Sequence, residues 1–339
     1  MNDLIEELGR IPYIIVSGKG GVGKTTFSAA LGYKLSDQGK KTLVVSLDPA
    51  HSLGDAFDME IGNNIKRINK KLYALEFNPV QLFAVEKQVL QKIVSPEGGP
   101  GTGMLPVDDE MIDLLVDMQI PYEFAEGIGF MKLFHSLIEK KEYDTVIFDT
   151  APTGHTLELL KLPEFLDSFY GKLIRFRLRL SKFFSRIKAI FGFGREDKAD
   201  LTLKMLEETR NIIKAVRGIL TDPSSTEFVV IMIPNDMSIF ESERLASELE
   251  AHSIPNRNIV VNFVRIYSGS CEFCNTMSKF HLSQLKKIKE IFPKNKLWVI
   301  PYISEEIRGL DKIRKISQHI GSMNIEGAIE LIKTGGIIE

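Results

Sequence analysis

Two cysteines, one tryptophan and a formal charge of −2 over 339 residues exclude several classes of protein at once. Two thiols cannot build the disulfide framework of a small secreted domain. With 43 basic side chains against 45 acidic ones, the average surface offers neither a basic sheath for nucleic acid nor an acidic one. No nucleic-acid partner is expected, and electrostatic partners have to be sought locally. No apolar run approaches the roughly 18 residues that a membrane-spanning helix needs. The first residues, MNDLIEELGR, lack the basic start and apolar stretch of a signal peptide, so a cytoplasmic location is expected. No internal repeat occurs, which implies one nucleotide unit per chain.

What is present is a core-forming composition, 44% hydrophobic and 26% charged. Short β-branched runs at Tyr13–Ser17, Thr42–Leu47, Thr145–Phe148, Phe228–Ile233, Ile259–Phe263 and Leu297–Ile300 alternate with helical patterns. Strands that alternate with helices pair in parallel, which predicts an α/β fold with a doubly wound, mainly parallel sheet. Two stretches depart from the alternation, about 80–140 and about 157–221. They read as helical inserts within a single ATPase domain that runs over residues 1–339.

GKGGVGKT, Gly18–Thr25, fits G-x-x-x-x-G-K-[ST] in full and lies between a strand and a helix, the context that the motif demands. Gly18, Gly20, Gly21 and Gly23 let the backbone bend around Lys19 and Val22 so that successive N–H groups converge on phosphate oxygens. Lys24 adds a cation, the Thr25 hydroxyl is a magnesium ligand, and Thr26 continues into the helix. Carboxylates are needed beside such a loop to hold Mg²⁺ and the attacking water. Asp149 ends the strand TVIF and Asp48 ends another, both as magnesium-side residues; Asp55 closes DPAHSLGD as the candidate that polarises the water. For any single loop aspartate, a turn or helix cap is the competing role.

DPAHSLGDAF (Asp48–Phe57), DTAPTGHTLELLKLP (Asp149–Pro163) and IPYISEEIRGL (Ile300–Leu310) resemble switch I, switch II and the adenine loop of the ArsA/Get/TRC family of ATPases. That family comprises arsenite-pump ATPases and targeting factors for tail-anchored membrane proteins, and the resemblance covers nearly the whole chain. It implies a SIMIBI-type P-loop NTPase in which Lys19 reaches the phosphates of a facing subunit, hence a nucleotide-sandwich homodimer with catalytic Asp55, Lys19 and Lys24. It implies nucleotide contacts from Asn235 and Asn262 and an adenine loop from Pro301 through Tyr302 and Ile303 to Arg308. On the residues alone, both asparagines suit backbone capping at a strand end. His51 and His155 fall in the two switches as loop-ordering residues.

Cys271 and Cys274 form Cys-x-x-Cys, half of a tetrahedral zinc site. The resemblance implies Zn²⁺ shared between two subunits; a redox dithiol or two inert thiols are the alternatives. Met104, Met111 and Met118 recur beside Leu114, Leu115 and Val116, with Met205, Ile212 and Ile213 in the second insert. Such a face suits either plain core or a soft groove for varied transmembrane helices. Between 172 and 195, Arg175, Arg177, Arg179, Lys182, Arg186 and Lys188 interleave with phenylalanines, as a transient membrane or receptor contact, a client flank, or a solvated helix. The function expected is an ATPase that couples homodimer closure to binding and release of tail-anchored helices. Alternatives are a subunit driving an arsenite pump, or a partitioning or cluster-assembly ATPase.

Overall fold

Each of the six apolar runs forms a strand, and two further strands join them. The computed structural model describes residues 4–48, 52–77, 122–150, 207, 211–267 and 269–335. Strands β1 (Tyr13–Gly18), β2 (Thr42–Ser46), β3 (Lys66–Arg67), β4 (Leu72–Glu76), β5 (Thr145–Asp149), β6 (Thr226–Met232), β7 (Asn258–Val264) and β8 (Lys296–Pro301) make one sheet in the order β3-β4-β2-β5-β1-β6-β7-β8. Every neighbouring pair is parallel except β3 with β4. The sequence expectation missed β3 and β4. LYALE has little of the β-branched content that marks the other strands, and it is fixed in place by pairing with β2.

Parallel strands need crossovers, and helices supply them: α2 (Lys24–Asp37), α3 (Ser52–Phe57), α4 (Tyr122–Lys140), α5 (Asp236–Ala251) and α6 (Glu272–Ile291) lie between strands, while α1 (Leu4–Leu8) precedes β1 and α7 (Leu310–Ser317) and α8 (Ile325–Thr334) follow β8. Residues 211–220 are helical as well. With helices covering its faces, the central sheet reads as continuous hydrophobic runs, and β2, β5 and β6 are buried at every position. One core cluster joins Ile14 and Val16 of β1 with Phe27, Leu31 and Leu35 of α2 and Ile313 and Ile316 of α7.

The chain divides into two compact units. One comprises residues 1–77, 139–157 and 217–339 and contains the whole sheet; the other comprises 78–138 and 158–216. Of the second unit, the described part includes most of α4, with Phe130, Met131 and Phe134 buried, and Ile213 and Val216, also buried. The Phe130 and Phe134 rings stand 5.6 Å apart. Met104, Met111, Leu114, Leu115, Val116, Met118, His155, Met205 and the basic segment 172–195 lie outside the described residues, as does His51. Among the described residues, no helix is long and apolar enough to cross a membrane.

Candidate functional site: a phosphate loop between two switch segments

β1 stands inside the sheet with β5 on one side and β6 on the other, so the loop that leaves its carboxyl end opens where the strand order reverses. In open α/β sheets this is where ligands bind. The loop is held by contacts that only glycine allows. Gly18 adopts φ 152°, and a Cβ there would lie 2.2 Å from the Ile231 carbonyl oxygen of β6. Gly23 caps α2 in the left-handed conformation, φ 91° and ψ 26°. A Cβ on Gly23 would meet the Asn262 amide nitrogen at 2.4 Å.

Asn262 comes from β7, two strands away from β1 in the sheet. Its Nδ2 donates to the Val22 carbonyl at 2.9 Å, and its Oδ1 accepts from Phe263 N at 2.9 Å. The chain reaches this geometry through an irregularity in β7 between Val261 and Val264, where Phe263 takes φ 57°. A bulky residue at positive φ is strained, and such strain concentrates at ligand sites. The Phe263 ring rests against Gly23 and packs edge to face on Tyr302 at 6.3 Å, while the Arg265 guanidinium lies 4.6 Å over the Tyr302 ring. Both rings are exposed, beside a phosphate loop.

The two lysines of the loop have different surroundings. Lys24 is buried and its Nζ donates to the Lys19 carbonyl at 3.1 Å. Burial pulls its pKa down, opposed by the negative charges of Asp149 and Asp48. Lys19 points elsewhere, and its Nζ lies 2.9 Å from Glu241 Oε1 of α5.

The Thr25 hydroxyl donates to Asp149 Oδ2 at 2.6 Å and is 3.1 Å from Ser52 Oγ. Asp149 is fully buried; burial first of all raises its carboxyl to about 7, against the lowering pull of Thr25 and Lys24. Its Oδ1 has no hydrogen-bond partner. A buried carboxylate oxygen left open next to a hydroxyl and near a second carboxylate, Asp48, is a donor set that fits a hard divalent cation. The Thr25, Asp149 and Asp48 side chains therefore fit magnesium.

Ser52 begins α3, and Asp55 follows three residues later on the same helical face, exposed to solvent. The first turn of α3 is anchored by Glu76, a buried residue at the end of β4, whose Oε1 accepts from Gly54 N at 2.7 Å. Sequence reading missed Ser52, Glu76, Glu241 and Phe263. Only Ser52, inside the switch-like run, carried a signal that could have found it.

Asn235 and Arg308 have structural partners within the chain. Asn235 is the N-cap of α5, its Oδ1 accepting from Ser238 N at 2.8 Å. Arg308 pairs with Asp58 at 2.9 Å, and Gly309 N donates to the Ala56 carbonyl at 2.9 Å. The end of the predicted adenine loop is thus tied to the end of α3. Pro301 closes β8, buried, and Tyr302 N continues the pairing by donating to the Val264 carbonyl at 2.8 Å, with Ile303 half-buried next to it.

At the other end of this region, Cys271 is the exposed N-cap of α6 and Cys274 is half-buried. The Cys274 N–H donates to Cys271 Sγ at 3.4 Å and, as the largest cause, holds that thiol below its ordinary range. Arg265 Nη1 stands 3.5 Å from Cys274 Sγ. His281 is occupied by Arg265 N, which donates to its Nδ1 at 2.9 Å, and burial lowers its pKa to about 4. Among the described residues, no three His, Cys, Asp or Glu side chains converge to hold a metal ion. The two sulfurs of one chain are half of a tetrahedral thiolate set.

A parallel sheet with an intact phosphate loop, a buried strand-end aspartate and a second aspartate on a short helix facing the loop defines a P-loop nucleoside triphosphatase. Residues 11–322 match the anion-transporting ATPase family, and the chain belongs to it. It is 35% identical to ATPase GET3B of Arabidopsis thaliana over 89% of this chain and 77% of that protein. Identity to ATPase ASNA1 homolog 2 of Paramecium tetraurelia is 32%, covering 91% of this chain and 93% of the relative. To ATPase GET3 of Phaeosphaeria nodorum it is 32%, with coverage of 89% and 92%. The chain is accordingly an ATP-hydrolysing enzyme of the GET3 type, with ATP as its substrate.

Proposed function

We propose that this ATPase couples nucleotide-driven closure of a homodimer to the binding and release of transmembrane helices of tail-anchored proteins in the cytoplasm. One observation carries the coupling. The segments of the second unit leave the nucleotide unit after Phe77, one residue past the strand that ends in Glu76, and after residue 157, eight residues past the strand that ends in Asp149. One of these carboxylates holds α3 and the other holds Thr25, so a shift at the phosphates moves the stems of both inserts. The client groove is assigned to those inserts, residues 80–140 and 157–221, by family resemblance.

Within the cradle, loop N–H groups and Lys24 neutralise the β- and γ-phosphates; Lys24 exchanges its bond to the Lys19 carbonyl for phosphate oxygen. Thr25, with Asp149 and Asp48 behind it, would hold magnesium, which would supply positive charge beside the phosphates. Asp55 orients the attacking water from α3. Lys19 serves the facing subunit, and Asn262 and the loop Pro301–Arg308 hold the base side, with Asn235 at the start of α5. Loss of the γ-phosphate removes the contacts that order α3, and the inserts separate. Cys271 and Cys274 of two copies together match a Cys₄ zinc set, which would supply a fixed tie between the subunits.

Metalloid transport requires several convergent thiolates, and a single Cys-x-x-Cys does not supply them. The alternative of driving an arsenite pump is therefore disfavoured on donor chemistry. The deciding experiment is co-expression with a tail-anchored substrate, followed by purification and measurement of mass, zinc content and bound client. A dimer carrying about one zinc per two chains and a client released on ATP addition is the expected result. A chain that stays monomeric with magnesium and a non-hydrolysable triphosphate at every concentration refutes the reading.

A further inference from the structure

Lys24 is buried at 6% exposure and turned into its own loop, whereas Lys19 is turned out of it, toward a carboxylate on α5. The Lys19 and Glu241 side chains are 33% and 35% exposed, so the pair is neither free in solvent nor locked in the core. We propose that Glu241 is the resting partner of Lys19, and that closure of two subunits requires Lys19 to pass from this carboxylate to a nucleotide phosphate. The proposal rests on the reading above that Lys19 acts across a homodimer.

The two partners differ in their freedom to move. Glu241 is fixed, because α5 is anchored on both sides of it by Ile239 at 0% and Ser242 at 1% exposure. Its start is pinned too, with Asn235 Oδ1 accepting from Ser238 N at 2.8 Å and Ser238 Oγ accepting from Ile233 N at 3.1 Å. Lys19 sits on a glycine-rich loop at the end of a flexible four-carbon stem. Hand-off therefore breaks one ion pair and unpacks no helix. A single carboxylate competes poorly with a triphosphate that carries several negative charges, and better once the γ-phosphate has gone. Glu241 in this way gives closure a threshold: triphosphate draws Lys19 away, and diphosphate leaves more of it at home.

The test places a dye on one exposed position of each subunit through a substituted, non-thiol handle that leaves Cys271 and Cys274 untouched, and reads subunit closure by resonance energy transfer, with magnesium and either ADP or a non-hydrolysable ATP analogue. Glu241→Gln keeps the shape and removes the charge. Exposed and half-buried pairs of this kind set equilibria by a few-fold. About two- to fivefold more closed dimer at a given nucleotide concentration is expected, with the larger gain in ADP, and the gain should vanish in a Lys19→Ala background. Closure unchanged or reduced in Glu241→Gln overturns the proposal, as does an equal gain when Lys19 is absent. Should Glu241→Gln fail to give native helical content by circular dichroism, Glu241→Ala carries the same expectations. The two levels separate cleanly: Lys19→Ala closing like the parent sinks the trans-acting lysine itself, whereas Lys19→Ala that cannot close beside a Glu241→Gln indistinguishable from the parent sinks only the role of Glu241.

Discussion

Replacing Gly23 by alanine puts a methyl group where the phosphate loop has least room for one. The residue sits at φ 91°, and the added carbon would lie 2.4 Å from Asn262 Nδ2 and 3.4 Å from the Phe263 ring. A left-handed alanine costs about 1–2 kcal/mol. Pushing Asn262 off the Val22 carbonyl, now 2.9 Å away, costs about 1 kcal/mol more. In the absence of nucleotide the loop can relax and shed this strain, so the melting temperature should change little. In the presence of ATP the loop has to readopt the cradle, so the full 2–3 kcal/mol falls on binding, roughly 30- to 150-fold in affinity. Isothermal titration of ATP into Gly23→Ala, next to calorimetric melting of both proteins, separates the two. Gly62→Ala is the control, since a Cβ there meets nothing within 4 Å. ATP affinity within about threefold of the parent in Gly23→Ala would show that the cradle does not depend on this backbone conformation.

Asp55→Asn should bind ATP with near-parental affinity and hydrolyse it at least about a hundredfold more slowly in single-turnover assays, since only the polarised water is lost; parental turnover removes Asp55 from the mechanism. Asp149 predicts a pH effect whose sign is fixed by its raised carboxyl. The folded chain binds its proton up to about 7 and the unfolded chain only to about 4, so this group lowers stability as pH rises through that window. Without magnesium or nucleotide, Asp149→Asn should therefore lose less melting temperature than the parent between pH 5 and 8, and equal losses would contradict the assignment. Arg308 and Asp58 are more than half exposed at 56% and 60%, so Arg308→Gln and Asp58→Asn should each cost under about 1 kcal/mol in thermal melts and be non-additive together.

The elements that could be read from the sequence are those whose cause is local. GKGGVGKT announces its own turn, and TVIFD announces a buried strand ending in an acid, so the phosphate loop, Thr25 and Asp149 fall together as the motif demands. LYALE was illegible because its strand character is conferred by its neighbour, β2, and its terminal Glu76 acquires a purpose only when α3 arrives at its carboxylate. Glu241 looks like any exposed helical glutamate until the fold sets it 2.9 Å from Lys19, 222 positions earlier in the chain (241 − 19). Resemblance implies a nucleotide contact for Asn235, and its sequence setting, ahead of a helical run, equally spells the N-cap that the chain forms. Local chemistry names the loop; long-range pairing decides what holds it.

The end of β7 illustrates why a strained strand persists at such a place. A regular strand would point Asn262 and Phe263 to opposite faces of the sheet and leave the Val22 carbonyl without its donor. The irregularity turns Asn262 beneath the loop and leaves Phe263 against Gly23, at the expense of a positive φ that costs on the order of 1–3 kcal/mol. Two residues further on, Arg265 covers Tyr302 with its guanidinium and reaches Cys274 with one of its nitrogens. Four consecutive residues, Asn262 to Arg265, thereby touch the phosphate loop, the segment after β8 and the thiol pair. A relaxed strand would satisfy its own backbone better but would break the first of these contacts, so the strain is retained because it keeps Asn262 on the phosphate loop while Arg265 reaches the other two parts.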